Sequence, residues 1–227
     1  MTEHARRTSL GRSSPKSAAR PVATHDGLKR SMDVLVAGIA VLVLLPMLLV
    51  IWAAIRLNSP GGAVFRQTRL GAGRCPFVMY KFRTMKCDTD DTLHREYIAK
   101  LLTEEVEAVD GLYKLTDDPR ITTVGAFLRK TSLDELPQLF NVLSGELSLV
   151  GPRPALAYEA TLFPGWADAR FQVKPGVTGL WQVSGRNRLR MTDGLRLDIE
   201  YVARRTLGLD VRILLRTIPA LFSGGAR

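Results

Sequence analysis

From Val34 to Ile55 the chain carries no charge and no strongly polar side chain. As a helix, this run of about 22 residues is long enough to cross the hydrocarbon core of a bilayer. It is too long for a secretory signal and has no small-residue cleavage site. Pro46 falls near its middle, and both flanks are basic: Lys29 and Arg30 before it, Arg56, Arg66, Arg69 and Arg74 after it. A simple span exports one of those flanks, against the positive-inside tendency. A helix broken at Pro46 that enters and leaves by one face keeps both flanks together, provided the freed backbone groups find partners. The run alone leaves both geometries open.

The formal net charge is +10. Such a balance directs attention to nucleic acid, anionic lipid or phosphorylated small molecules. Cys75 and Cys87 have no zinc-spaced Cys or His companions, which fits free thiols in a reducing, cytoplasmic compartment. Residues 1–25 hold Arg6, Arg7, Arg12, Lys16 and Arg20 against Glu3, with few large apolar side chains. They are expected to form a disordered basic tail, merely solvated or in passing contact with anionic lipid. The expected division is this tail, a membrane segment over 26–57, a globular domain over 58–222 and a short tail over 223–227.

Beyond the turn cluster Asn58–Gly62, Ala63–Phe65 and Phe77–Tyr80 read as short strands. The second runs into Lys81, Phe82 and Arg83, with alternation setting Lys81 and Arg83 opposite Tyr80 and Phe82. Asp88–Glu107 has apolar residues at helical spacing and reads as an exposed helix. Thr116–Arg120 is a turn. Ala155–Leu162 is expected to be a short helix, and glycine-rich turns at Lys174–Gly179 and Ser184–Asn187 flank Leu180–Val183. Asp193–Arg205 and Val211–Phe222 read as amphipathic helices. The latter, with Arg212 and Arg216, suits either a membrane interface or a core.

The stretch Thr131–Pro154 (TSLDELPQLFNVLSGELSLVGPRP) carries the chemistry. Asp134 and Glu135 are adjacent carboxylates before an apolar periodicity of Leu136, Leu139, Phe140 and Leu143 that Ser144–Gly145 closes. With Ser132 as N-cap, Glu135 completes a capping box. With Asp134 as N-cap, Pro137 falls in the first turn, where it loses no hydrogen bond. Capping is the commoner meaning of such a pair. Cations before and after it (Arg129, Lys130, Arg153) instead suit a phosphorylated, metal-bound substrate.

Taken in order, the lead K-R-x-x-D, then FRQTRLG, YKFRTM, DDPRIT, FLRKTSLDELPQLFNVLSGELSLVGPRP, KPGVTGLWQVSGRN and LDIEYV resemble the bacterial sugar transferases, monotopic phosphoglycosyl transferases, from about Lys29 to Phe222. The resemblance implies an α+β, mostly helical fold with a re-entrant membrane helix-break-helix, amphipathic interfacial helices and short strands. The family breaks that helix at a Ser-Pro pair, which here is Leu45-Pro46. It also implies transfer of a sugar 1-phosphate from a nucleotide diphosphate sugar to polyprenol phosphate at the cytoplasmic face of a bacterial inner membrane. On that basis Asp134 is the expected nucleophile and Glu135 the expected Mg²⁺ ligand, with Arg129, Arg153 and Lys81 as phosphate contacts. Membrane lipid and a second copy of the chain are expected partners; nucleic acid is not. Direct one-step transfer, or a non-catalytic basic membrane protein, are the rival readings.

Overall fold

The computed structural model describes residues 22–86, 120–185 and 189–222. The expected helix over Asp88–Glu107, most of the Thr116–Arg120 turn, Arg186–Asn187, Cys87 and most of the N-terminal tail lie outside them.

Helix α1 runs Val22–Asn58, beginning inside the segment expected to be tail. At 1.5 Å per residue it is about 55 Å long. The expected helix-break-helix is one continuous element here, with Pro46 inside it. A proline removes a single backbone donor and crowds the carbonyl one turn back, which bends a helix without having to end it. Strands β1 (Val64–Leu70) and β2 (Pro76–Phe82) form an antiparallel hairpin, Val64 opposite Phe82 and Leu70 opposite Pro76. Helix α2 (Thr123–Thr131), a 3₁₀ turn (Leu133–Glu135) and α3 (Gln138–Ser144) follow. Then come β3 (Ser148–Val150), α4 (Ala157–Leu162), a 3₁₀ segment (Gly165–Gln172), β4 (Gly176–Thr178), α5 (Leu180–Ser184), α6 (Met191–Arg204) and α7 (Leu207–Phe222). Strands β3 and β4 pair in parallel.

Helix α1 is two-faced along its length. Asp33, Ala37, Leu48, Ile51 and Ile55 are buried, with Ala40, Val41 and Leu44 filling the same stripe at helical spacing. Ala37 to Leu44 pack on Leu139, Val142, Leu149, Tyr201 and Ile213. Leu48 to Ile55 pack on Ala63, Phe82 and Leu128. The opposite face presents Leu35, Ile39, Leu42, Val43, Leu49, Val50 and Trp52 outward. Among the described residues this is the one helix long and apolar enough to cross a membrane.

Both ends of α1 are fastened to that same body. Lys29 Nζ lies 2.7 Å from Asp210 Oδ2, a fully buried carboxylate on α7 whose other oxygen accepts from the Tyr201 hydroxyl at 2.7 Å. Arg30 donates to the Val142 and Leu143 carbonyls at the C-terminal end of α3, where exposed carbonyls and the helix dipole favour a cation. The Leu149 amide donates to Asp33. Past the far end, Arg83 donates to the Ser59 and Pro60 carbonyls. Two of the residues read as membrane-flanking cations serve elsewhere: Arg69 is buried, and Arg74 pairs with Asp168 and stacks over Phe171. Helix α7 has one face on the core and one exposed. Asp210 and Ile213 face the core, while Val211, Leu215 and Ile218 face outward beside exposed Arg212 and Arg216.

Asp210→Ala leaves Lys29 and Tyr201 facing an unfilled site and should lower unfolding stability by about 3–5 kcal/mol. Arg212→Gln, on the exposed face, should change it by less than about 0.5 kcal/mol. Thermal unfolding in detergent checks both.

Candidate active site

The dyad sits in neither of the two registers read from the sequence. Ser132 ends α2 in the left-handed region (φ 57°), its amide returning to the Arg129 carbonyl at 3.3 Å, and its side chain makes no capping bond to the turn. The chain therefore reverses at Ser132, and Leu133–Glu135 form a separate 3₁₀ turn held by the Glu135 amide on the Ser132 carbonyl. Pro137 stands between that turn and α3, where no helix bond is lost. Gly145 (φ 89°) ends α3 as expected. Phe140, expected on the apolar face, is exposed; Leu139 and Val142 fill that role.

The 3₁₀ turn packs against β2. Asp134 is buried at 6% exposure, and Glu135 reaches outward to Lys81 Nζ, 3.1 Å from its Oε1. Lys81, expected as a phosphate contact, is thus brought together with Glu135. Arg83, just past the end of β2, donates to the carbonyls of the Ser59–Pro60 turn. Arg129 is half-buried in the last turn of α2, immediately before the reversal.

Arg153 lies in a loop built by glycines. Gly151, Gly176 and Gly179 meet so closely that a Cβ on any of them collides with the backbone of the facing strand or loop, and one on Gly194 would enter the Trp181 ring. Trp181 in turn underlies the Arg153 guanidinium, whose Cζ is 6.0 Å from the ring centroid. Glu159 on α4 lies 3.7 Å from both Arg153 Nη1 and Arg69 Nη1.

Arg69 belongs here rather than with the membrane flank. It is buried, donates to Gln67 Oε1 and the Pro154 carbonyl, and feels the charges of both Glu135 and Arg153. It therefore links the dyad to the Arg153 loop. Burial and the neighbouring Arg153 lower its pKa to about 10, against the pull of Glu159, Tyr158 and Glu135, so it stays charged at neutral pH. Burial pushes Glu159 up, but Arg153, Arg69 and the Leu156 amide outweigh that and hold it below the ordinary carboxylate value.

Arg170 and Asp198 form a second buried pair, 2.7 Å apart in an oblique contact that is more an ion pair than an aligned hydrogen bond. Burial dominates both: it lowers Arg170 and raises Asp198 to about 6, although Arg170, Arg153 and the Arg153 amide favour the ionised carboxylate. Arg69, Glu159, Arg170 and Asp198 were not assigned to the site from sequence. Arg69 and Asp198 lie inside the FRQTRLG and LDIEYV motifs, which were signal enough to ask what they touch. Glu159 and Arg170 lie in unremarkable sequence.

Among the described residues no group of three or more His, Cys, Asp or Glu is placed to hold a metal. Magnesium does not need one. It takes one or two carboxylates and completes its shell with substrate phosphate and water. Adjacent Asp134 and partly exposed Glu135 are of that donor type, so the dyad fits Mg²⁺ bound together with a diphosphate.

A family model described as "Bacterial sugar transferase" matches residues 24–224. The chain belongs to the bacterial sugar transferase family. Similar proteins include the exopolysaccharide production protein ExoY of Rhizobium meliloti, 40% identical over 204 residues covering 90% of this chain and 88% of that protein. A UDP-glucose:undecaprenyl-phosphate glucose-1-phosphate transferase of Caulobacter vibrioides is 41% identical over 212 residues, 89% of this chain and 73% of that one. An undecaprenyl-phosphate galactose phosphotransferase of Salmonella typhimurium is 40% identical over 190 residues. That match covers 84% of this chain but 39% of the Salmonella protein, so this transferase chain spans about two fifths of its length.

Gly179→Ala drives a methyl group into the Gly151 carbonyl and should destabilise the fold by about 1–3 kcal/mol, as overpacking does. Gly165→Ala, where a Cβ meets open space, should not. Paired denaturant titrations measure the difference.

Proposed function

We propose that this chain transfers a sugar 1-phosphate from a UDP-sugar to polyprenol phosphate, releasing UMP and leaving a polyprenol diphosphate sugar that starts glycan assembly such as exopolysaccharide. The observation that carries this reading is the carboxylate dyad tied to Lys81, with the buried Arg69 close enough to feel Glu135, on the body that also holds α1. Anionic substrates need those cations, and a lipid acceptor needs that helix.

In this reading an Asp134 carboxylate oxygen attacks the β-phosphorus of the donor. The bond from that phosphorus to the bridging oxygen breaks, and UMP leaves with the electron pair. A phosphate oxygen of the polyprenol phosphate then attacks the aspartyl-bound phosphorus, and the bond to Asp134 breaks to restore the carboxylate. Positioning and charge neutralisation supply most of the catalysis in such transfers. Arg153 and Arg129 bind the diphosphate through guanidinium forks. Lys81 orients Glu135 and adds charge. Mg²⁺, held by Glu135 and the donor phosphates, would offset the repulsion between nucleophile and diphosphate.

The same proposal puts the protein at the cytoplasmic face of the inner membrane, α1 entering and leaving by that face. The buried stripe from Asp33 to Ile55 covers about 33 Å of helix, close to the thickness of the hydrocarbon core. A simple span would therefore carry the packed globular body into the lipid. The two-sided exposure of α1 instead suits a helix with one face on its own domain and the other in lipid.

Intact-protein mass after mixing with Mg²⁺ and UDP-sugars, UDP-glucose and UDP-galactose included, should rise by one sugar phosphate, and Asp134→Asn should abolish the adduct and UMP release. Lipid-dependent UMP release without an adduct would replace the two-step route by direct transfer. For topology, Leu28→Cys and Leu57→Cys in a background lacking Cys75 and Cys87 should both react with an impermeant maleimide from the cytoplasmic side. Labelling of the two from opposite sides would establish a span.

A further inference from the structure

Resting on the reading of Arg153 as a donor-phosphate contact, we propose that Glu159 is a positioning residue for that arginine. Its buried carboxylate aims the guanidinium by charge alone and leaves the hydrogen-bond donors to the diphosphate. The distances carry the case. Glu159 is fully buried, and its Oε2 accepts the Leu156 amide at 2.8 Å, which fixes the carboxylate as the cap of α4. Its Oε1 has no hydrogen-bond partner and lies 3.7 Å from Arg153 Nη1, beyond hydrogen-bond range. An arginine this near a carboxylate ordinarily closes into a bidentate pair. Here the carboxylate is held back by the cap and by Arg69, 3.7 Å away on its other oxygen.

Arg153 is fixed at its base and steered at its tip. Arg170 donates to the Arg153 carbonyl, and the Arg153 amide faces Asp198, the partner of Arg170. At the tip, the side chain meets the Trp181 face and the charge of Glu159, and it is 35% exposed. Three guanidiniums (Arg69, Arg153, Arg170) face two buried carboxylates (Glu159, Asp198). One positive charge is left over, and it emerges at Arg153, the most exposed of the three arginines. A phosphate oxygen supplies the hydrogen bonds that Glu159 withholds. Arg69 and Arg170 thus serve as counter-charges that keep Glu159 and Asp198 ionised rather than as phosphate contacts.

The test is a double-mutant cycle on UMP release with varied UDP-sugar and saturating polyprenol phosphate. Glu159→Gln keeps the cap acceptor and removes the charge; it should raise KM on the order of 10-fold through misplacement of Arg153, with kcat within about 3-fold. In an Arg153→Ala background the same change should move KM by less than about 2-fold. Equal penalties in both backgrounds would make Glu159 purely structural and overturn the proposal. A fall in KM would also overturn it, because Glu159 would then only screen Arg153. If Glu159→Gln does not fold, Glu159→Asp, which keeps the charge but withdraws it, should raise KM in the same Arg153-dependent way. A wild-type protein that releases no UMP from any UDP-sugar would sink the transferase reading itself, a result distinct from an active enzyme in which the cycle is additive.

Discussion

One-sided packing of α1 is the constraint on which the other features depend. A helix with a lipid-compatible surface has no hydrophobic reason to prefer protein over lipid along its length, because the two are equally apolar. Polar fasteners supply the preference. Lys29 on Asp210, Arg30 on the α3 carbonyls and Asp33 on the Leu149 amide act at one end, and Arg83 closes the turn beyond the other. Buried polar contacts of this kind fix register more than they add stability. Once register is fixed, α2 and α3 are placed against α1, and the dyad turn lies between them.

The same logic governs the arginine-rich wall. Burying a guanidinium is costly unless it is paired and hydrogen-bonded. Arg69 has Gln67, the Pro154 carbonyl and Glu159; Arg170 has Asp198 and the Arg153 carbonyl. Compensation inside lets the surplus charge be concentrated where a ligand can reach it. Glycine does the corresponding work for the backbone, since only residues without a Cβ allow the Gly151, Gly176 and Gly179 segments to meet under the arginine.

Local pattern made much of this legible. Two short strands follow from alternation at Ala63–Phe65 and Phe77–Tyr80, though their full length and pairing do not, the end of α3 follows from Gly145, and α1 from its uncharged run. A serine three residues before a glutamate is the signature of a capping box, whereas here the left-handed backbone at Ser132 ends one helix and enters the next turn without a side-chain capping bond. Arg69 was misread because a cation near an apolar run is ordinarily a headgroup contact; its burial depends on α4, about ninety residues later in sequence than local reasoning reaches. Glu159 and Arg170 gave no signal at all. Their meaning lies in pairings between distant segments, and sequence spacing carries none of that.

The two halves of the molecule answer one physical problem. A nucleotide sugar is confined to water and a polyprenol phosphate to the membrane, so the reacting phosphates can meet only at the interface. A site on a flexible tether to a spanning helix would sample many heights and orientations above the lipid, and orientation is a large part of the barrier in phosphoryl transfer. Fastening α1 along the catalytic body removes that freedom. With Phe127 on α2 and Phe140 on α3 exposed on either side of the dyad turn, and α1 and α7 turning apolar faces outward, the proposed membrane placement makes the depth of the carboxylates a matter of packing inside the domain. On the proposed membrane placement, α1 is part of the active-site scaffold, and its register with α3 bears on the proposed chemistry as directly as the position of Arg153.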